Sequence, residues 1–421
     1  MKIIILGAGI SGISAGYHLA LKGKEALIFE QNNSWGGLCD NFEINGFRFD
    51  YSIHLSFTRS KYVEKLFSES CEFYTYTPLI SSYYYGYWLK YPAQNNLYPL
   101  DIEEKIKIIK GFIMKNKNNK RIESYERWLR SQYGDYFAEN FPMKYTRKYW
   151  TVEAREIKTE WIGNRMYKPT IEEVLRGAMS DNTPNTYYAD EVRYPKFGGY
   201  KSFLNHMAEK CKIYLNKKVI LIDIKNKKIE FEDGTSEYYD CLISSFPLPE
   251  IVRMIKDVPK TVYEASEKLS WTSVALVSLG FKRPDIARYL WFYIYDEDIL
   301  PARAYSPNLK SLDNVPNGCS SLQFEVYFSK YKPLKIKGES LIDDIVRKFS
   351  NIGLFDINDI VVSDYREIKY GNVIFDREIY KNRKIIHEYL DNIGIKYIGR
   401  FGKWDYLWSD QSLMTGKNIK I

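Results

Sequence analysis

Residues 2–12 read KIIILGAGISG, and this stretch limits the fold of the chain more than any other. Residues 2–6 are a short, β-rich apolar run, the pattern of a parallel strand buried on both faces. Gly7, Gly9 and Gly12 follow at once as GxGxxG. A helix is predicted over 13–22, with Ala15 and Gly16 continuing its close-packed face, and a second strand over 25–29 ends in Glu30. Strand, glycine turn, helix, strand and terminal acid make a complete dinucleotide-binding unit. Gly7 permits the tight turn, Gly9 lets backbone N–H groups approach a pyrophosphate, and Gly12 lets helix pack on strand. Ile10 and Ser11 inside the turn join the expected cofactor contacts. A carboxylate at Glu30 accepts a hydrogen bond from a ribose hydroxyl and repels a 2′-phosphate, which favours FAD or NAD over NADP.

FAD and NAD part at the next segment. Ser34-Trp35-Gly36-Gly37-Leu38 follows the acidic strand end, and a second glycine pair suits a second backbone approach to the ribityl and phosphate portion of a flavin. Residues 218–223, 228–234 and 239–247 read as a strand, a hairpin turning at Asp233-Gly234 and a strand returning to the sheet. Val219, in the first of these, joins the cofactor set. A long insertion therefore sits inside one nucleotide-binding domain, as is typical of large flavoproteins.

Composition narrows the partners. Lys and Arg number 61 against 53 Asp and Glu, a net +8 spread along the chain, so an evenly solvated surface is expected and no nucleic-acid partner. At 421 residues and 45% hydrophobic, the chain can bury a large core and divide into two or three domains. Five scattered cysteines without CxxC spacing fit reduced thiols, and four dispersed histidines suggest no metal site. The N-terminal glycines and the missing small-residue cleavage site argue against a signal peptide. No uninterrupted apolar run reaches about 18 residues, so a cytoplasmic protein without stable membrane insertion is expected.

With these motifs in place, the sequence resembles the UDP-galactopyranose mutases, within the broader group of amine-oxidase-like and protoporphyrinogen-oxidase-like flavoproteins. Four later stretches carry the resemblance. Tyr91-Pro92-Ala93-Gln94-Asn95-Asn96 is similar to PYPFQNN, where the aromatic residue and the glutamine help hold uracil. Lys144-Tyr145-Thr146-Arg147-Lys148-Tyr149-Trp150 is similar to the KYTEKQW helix, whose tyrosine and tryptophan contact the nucleotide; Arg165 falls where the family has a diphosphate-clamping arginine. Trp291-Phe292-Tyr293 through Pro301-Ala302-Arg303-Ala304-Tyr305-Ser306-Pro307 is similar to WLYFPE...YRATIFSNYSP, whose arginine reaches the diphosphate. Residues 399–414, GRFGKWDYLWSDQSLM, are similar to GRFGSWKYEVGNQDHSFM. There the resemblance puts Arg400 and Tyr406 on the substrate and Gly399, Asp410, Ser412 and Leu413 along the flavin.

The resemblance implies an isomerase that interconverts pyranose and furanose forms of a nucleotide sugar, for cell-surface polysaccharide synthesis. FAD would be active when reduced, primed by NAD(P)H or another reductant, and would react through a covalent adduct at N5 with no net oxidation. Arg165, Arg303 and Arg400 would clamp the diphosphate, since guanidinium groups match phosphate oxygens bidentately. Gln94, Tyr145, Trp150, Tyr200, Tyr370 and Tyr406 would hold uracil and sugar. His54 would sit beside the flavin and respond to its redox state. The second class of function is an FAD-dependent oxidoreductase acting on an amine, porphyrinogen or polyene, which predicts a more apolar channel without converging arginines; a third is a non-catalytic flavin-binding scaffold. A homo-oligomer is left open. Three positions depart from the family pattern: Ser52-Ile53 stand where glycines are usual before the histidine, and Ala93 and Leu413 each replace a phenylalanine. These leave the sugar, and the base, undetermined.

The expected fold class is α/β: a discontinuous Rossmann-like FAD-binding domain (1–80, 195–255 and 390–421), an inserted helical domain (98–190), and an antiparallel β-sheet substrate domain (81–97 and 256–389). Within these, 102–115 and 123–141 carry helical apolar spacing, and 273–281 and 321–328 alternate as strands do. No internal repeat or low-complexity segment is found.

Overall fold

Ile3–Leu6 is buried at all four positions and lies between two parallel neighbours, Cys241–Ser244 on one side and Ala26–Phe29 on the other. The computed structural model describes residues 1–115, 122–163, 165–184 and 191–421; the helical expectation over 185–190 and the flanking residue Asn164 lie outside the described residues. Ile395–Tyr397 and Lys212–Tyr214 complete a five-stranded sheet in which every neighbour is parallel. The N-terminal strand thus pairs directly with Cys241–Ser244, and both edge strands of the sheet are likewise drawn from far downstream.

The first helix, Ile10–Ala20, begins directly after Gly9. Gly12 lies so close to the turn that a Cβ there would stand 1.9 Å from the Gly7 carbonyl oxygen, which gives Gly12 its packing reason. The C-terminal helix, Ser409–Lys417, packs on this first helix: Ser14 Oγ donates to the Leu413 carbonyl at 2.7 Å, and a Cβ on Gly416 would stand 2.3 Å from the Ser11 carbonyl oxygen. The chain therefore closes on its own beginning.

A second sheet has seven strands, in the order Ile360–Val373, Trp271–Phe281, Ser320–Phe328, Arg303–Tyr305, Trp291–Ile294, Ile80–Tyr84 and Tyr87–Lys90. The two runs that alternate in sequence are partners, with Ser273 opposite Phe328 and Phe281 opposite Ser320. The sheet is mixed rather than antiparallel throughout, because Ile80–Tyr84 runs parallel to Trp291–Ile294. That strand arrives from a distant part of the chain, so no hairpin dictates its direction. Val219–Asp223, Lys228–Phe231 and Ser236–Tyr238 form a small separate antiparallel sheet, with Gly234 in the left-handed turn at φ 82°.

The inserted helices pack on one another, and Pro142–Tyr149 also meets Ser320–Phe328 of the seven-stranded sheet. Ile102–Met114 starts at Asp101, whose side chain accepts from Glu104 N at 2.9 Å, a standard N-cap. The stretch 123–141 is two helices, Tyr125–Tyr133 and Asp135–Asn140, rather than one. Gly134 breaks it at φ 77°, where a Cβ would fall 2.3 Å from the Gly111 carbonyl group of the neighbouring helix. Pro142–Tyr149 follows with proline in its first turn, where a missing N–H costs nothing. One apolar cluster links Ile4 and Phe29 of the parallel sheet to Phe112 and Leu129 of these helices and to Trp404 near the C-terminus.

Candidate functional site

The two glycine turns meet back to back. Gly36 N donates to the Ala8 carbonyl at 2.9 Å, and a Cβ on Gly37 would stand 3.1 Å from Gly9 Cα. Gly36 and Gly37 both have positive φ, 116° and 58°, so glycine is required here for conformation as well as for space. Above them opens a cavity of about 830 Å³. Its floor is Gly7, Gly9, Ile10, Ser11, Gly36, Gly37 and Leu38, and His54, Tyr370, Gly399, Arg400 and Ser412 form its walls. Glu30 borders the same space; its Oε2 accepts from Ala8 N at 2.9 Å and its Oε1 from Asn32 N at 3.0 Å, which fixes the carboxylate. Paired glycine turns, a helix N-terminus and an oriented acid fit the pyrophosphate and ribose of a dinucleotide such as FAD.

A smaller cavity of about 180 Å³ lies beside it, lined by Gln94, Tyr145, Trp150, Arg165 and Tyr406. Arg303 and Trp408 line both cavities and so mark their junction. The remaining sequence-stretch candidates fall outside both linings. Gly12 packs beneath the turn, and Val219 is buried in the small three-stranded sheet. Tyr200 is fully buried behind His54, with ring centroids 5.2 Å apart, and its hydroxyl is 2.6 Å from Ser409 Oγ. Asp410 and Leu413 ride on the C-terminal helix away from the cavity faces.

Three arginines converge on the junction. The Arg400 guanidinium lies 4.6 Å from the centroid of the Tyr406 ring, and that of Arg165 lies 4.9 Å from the same centroid. Arg400 donates to the Leu407 carbonyl at 3.2 Å and to Asn372 Oδ1; Arg165 donates to the Trp161 and Tyr406 carbonyls at 2.9 and 2.6 Å. The Nε of each is buried with no partner, and neither arginine has a carboxylate partner among the described residues. Burial first, and then the neighbouring Arg400 charge, lower the pKa of Arg165 against the opposing pull of Tyr406. Two guanidinium groups gathered without an acid form a cradle for an anion.

Arg303 is held differently. Its Nε donates to Glu325 Oε2 at 2.6 Å and its Nη2 to Tyr327 Oη at 3.2 Å. Burial disfavours its charge, but Glu325 outweighs this and raises its pKa above the ordinary value. Glu325 is itself fully buried and accepts from Ser52 Oγ, Ile53 N (3.0 Å) and Tyr327 Oη (2.7 Å). Burial pushes its pKa up, and Arg303 with these hydrogen bonds brings it below the ordinary carboxylate range. Ser52 takes φ 76°, the left-handed conformation that glycine would adopt freely, and the bonds to Glu325 hold it there. Sequence reasoning missed Glu325 and Asn372. The available signal for Glu325 was a lone acid inside the apolar strand run SSLQFEVYF; for Asn372 there was none.

His54 Nδ1 lies 3.2 Å from the Ser52 carbonyl oxygen. Its pKa is pushed down to about 4, by burial first, with Asp50 opposing and Lys310 assisting. The imidazole is therefore neutral at physiological pH. The folded chain binds fewer protons than the unfolded chain between pH 6.5 and about 4, so the stability contributed by neutral His54 is complete above 6.5 and is lost as the pH falls through that window. Thermal melts from pH 7 down to 4 should fall less steeply for His54→Asn than for the parent; parallel slopes would count against the buried neutral imidazole. Among the described residues no group of three His, Cys, Asp or Glu is placed to hold a metal, and no helix is long and apolar enough to cross a membrane.

Comparison with known proteins agrees with this geometry. The family model for an NAD(P)-binding Rossmann-like domain matches residues 5–70. A 4,4'-diapophytoene desaturase (4,4'-diaponeurosporene-forming) of Staphylococcus aureus (strain COL) is 44% identical over 50 residues, a stretch covering 12% of this chain and 10% of the desaturase. A crystal structure of reduced UDP-galactopyranose mutase superposes with TM-score 0.92 at 26% identity, covering 99% of this chain and 94% of that one. A CLA-producing fatty acid isomerase from P. acnes superposes with TM-score 0.65 at 13% identity, over 99% and 97% of the two chains, a likeness of fold alone. Fold and site together define a Rossmann-like, dinucleotide-binding flavoprotein. Within that class it has the α/β fold shared by UDP-galactopyranose mutase and the amine oxidases, and it resembles the mutase structure over nearly its full length.

Proposed function

We propose that the chain is an FAD-dependent isomerase that interconverts the pyranose and furanose forms of a nucleotide sugar, UDP-galactopyranose and UDP-galactofuranose or a related pair, as a source of furanose units for cell-surface polysaccharide. The observation that carries this is the pair of buried, unpartnered Nε atoms on Arg165 and Arg400, beside an Arg303 that faces both cavities. A nucleoside diphosphate brings two negative charges to that junction and balances the guanidinium charge that no acid offsets. The uracil and its ribose then fall in the aromatic cavity, where Tyr145 and Trp150 offer ring faces and Gln94 an amide. The sugar falls on the His54 side, against the large cavity. Held by the two glycine turns and Glu30, reduced FAD would supply nucleophilic chemistry toward the anomeric carbon of the sugar.

The chain's own residues do the rest. Arg165 and Arg400 bind the departing diphosphate and keep it in place for the return step, and the Tyr406 ring supports both guanidinium groups. Arg303, fixed by Glu325, keeps one side of its guanidinium for the phosphate or sugar. Trp408 at the junction narrows access to water. An amine or a polyene would leave the arginines uncompensated. The deciding experiment incubates anaerobically reduced protein with UDP-galactofuranose and chromatographs the products. Formation of the pyranose is the expected result; failure with every nucleotide furanose tried, together with oxygen-dependent turnover of an amine, would overturn the proposal.

A further inference from the structure

A backbone irregularity sets Asn372 in place. The edge strand Ile360–Val373 runs antiparallel to Trp271–Phe281, and its register slips near the end: Asn372 faces Thr272, while Ile368 already faces Val274. Residues 369–371 therefore stand opposite Ser273 alone, and such a bulge bends the strand and re-aims its side chains. Asn372 N donates to Thr272 Oγ1 at 3.1 Å, which holds the strand end beside its partner. The Asn372 side chain is buried and lines neither cavity.

Its Oδ1 accepts from Arg400 Nη2 and from Tyr149 Oη, the latter at 3.2 Å. A guanidinium only donates, so the amide must turn its oxygen to Arg400, and Tyr149 must give its proton to that same oxygen. Tyr406 Oη lies 3.0 Å from Tyr149 Oη; with the Tyr149 proton already used, Tyr406 is the donor of that pair. One uncharged oxygen thus ends a hydrogen-bond chain running from Tyr406 through Tyr149 and braces the arginine as well. Arg303 shows the alternative in the same site, since Glu325 holds it through an ion pair at 2.6 Å.

We propose that Asn372 is a positioning residue for the phosphate cradle and that its lack of charge is essential: it orients Arg400 and the Tyr149–Tyr406 pair while leaving the Arg400 charge to an anionic ligand. This role rests on the reading above that a diphosphate binds at the junction, because only a negatively charged ligand gains from an arginine held without an acid. An aspartate at 372 has the same shape and accepts the same bonds more strongly. It also sets a fixed negative charge on Arg400, and in partly dry surroundings that charge competes with ligand phosphate far more effectively than it would in water.

Calorimetric titration of the FAD-loaded full chain with UDP, and separately with inorganic pyrophosphate, compares the parent with Asn372→Asp and Asn372→Ala; thermal melts and flavin content are measured beside it. Asn372→Asp should keep its flavin and melt at or above the parent temperature, yet bind both ligands about tenfold or more weakly. Asn372→Ala removes the brace without adding charge, so it should melt below Asn372→Asp but bind UDP more tightly than it. A merely structural role would rank aspartate above alanine in both measurements. Asn372→Asp binding UDP and pyrophosphate as the parent does, or more tightly than Asn372→Ala, would overturn the proposal. A parent that binds pyrophosphate but not UDP would overturn the nucleotide-sugar reading, and the same ranking on pyrophosphate would still support the role of Asn372. A parent that binds neither would overturn both.

Discussion

Arg400→Ala is expected to lower kcat/KM for the furanose-to-pyranose conversion by about a hundredfold or more, on the scale of losing one preorganised charge partner in a dry site. The side chain is braced before any ligand arrives: Leu407 and Asn372 hold the two terminal nitrogens and the Tyr406 ring supports the guanidinium face. Nε is left buried without an acceptor, and Arg400 lines the large cavity, where an anion would meet its charge in partly dry surroundings. Charge–charge attraction in such surroundings is far stronger than in water. Lysine in its place keeps the charge but offers no planar fork, so Arg400→Lys should recover only part of the loss. UDP alone, as a competitive ligand, should weaken in parallel, and flavin absorbance should report that FAD remains. Near-parent rates in Arg400→Ala would remove this residue from the substrate site.

Lys310→Met is expected to cost about 3–5 kcal/mol of stability, the range for removing one partner of a buried ion pair. Lys310 and Asp50 are both fully inaccessible and directly paired, unlike exposed pairs such as Lys212–Glu25, whose contribution is small. The Lys310 ammonium sits 4.5 Å from the Tyr194 ring centroid and 4.4 Å from that of Tyr305, and burial lowers its pKa against the pull of Asp50. Methionine keeps most of the volume but leaves Asp50, among the described residues, with only the Tyr194 hydroxyl at 2.8 Å and Tyr200 N at 3.1 Å to offset its charge. Asp50 lies immediately before the loop that carries Ser52 and His54, so this loss should also loosen the wall of the flavin cavity. Thermal melting and flavin retention are the readouts. Pairing the change with Asp50→Asn should recover much of the stability, because no bare charge is then buried. An unchanged melting temperature in the single variant would mean that water reaches Asp50.

Much of the flavin half of the site was legible in the sequence, because its physics is local. GAGISG after an apolar run, and Gly36-Gly37 after an acid, are short-range backbone constraints, and the structure stacks them against each other. Residues 273–281 and 321–328 were likewise legible as strands from their alternation, and they pair. The helix predicted over 123–141 was not, because the break at Gly134 comes from the Gly111 backbone crossing it, a contact that periodicity does not encode. The arginines drew attention only through the motifs around them. Their arrangement depends on Asn372, which carries no sequence signal, on Glu325, marked only as a lone acid in an apolar strand run, and on Tyr149, whose hydroxyl meets that of Tyr406.

By itself, the sequence determined that this chain binds a dinucleotide through a parallel sheet and a glycine turn. Those features arise between residues only a few positions apart, where spacing and side-chain size are sufficient. Only the tertiary structure decided the rest. Glu325 reaches Ser52 and Ile53 across more than half the chain, and the C-terminal helix closes over the first one. Arg165, Arg303 and Arg400 become a single cradle at the seam of two cavities. Such encounters are set by how whole sheets and helices pack, and the charges they leave unpaired can be counted only once that packing exists.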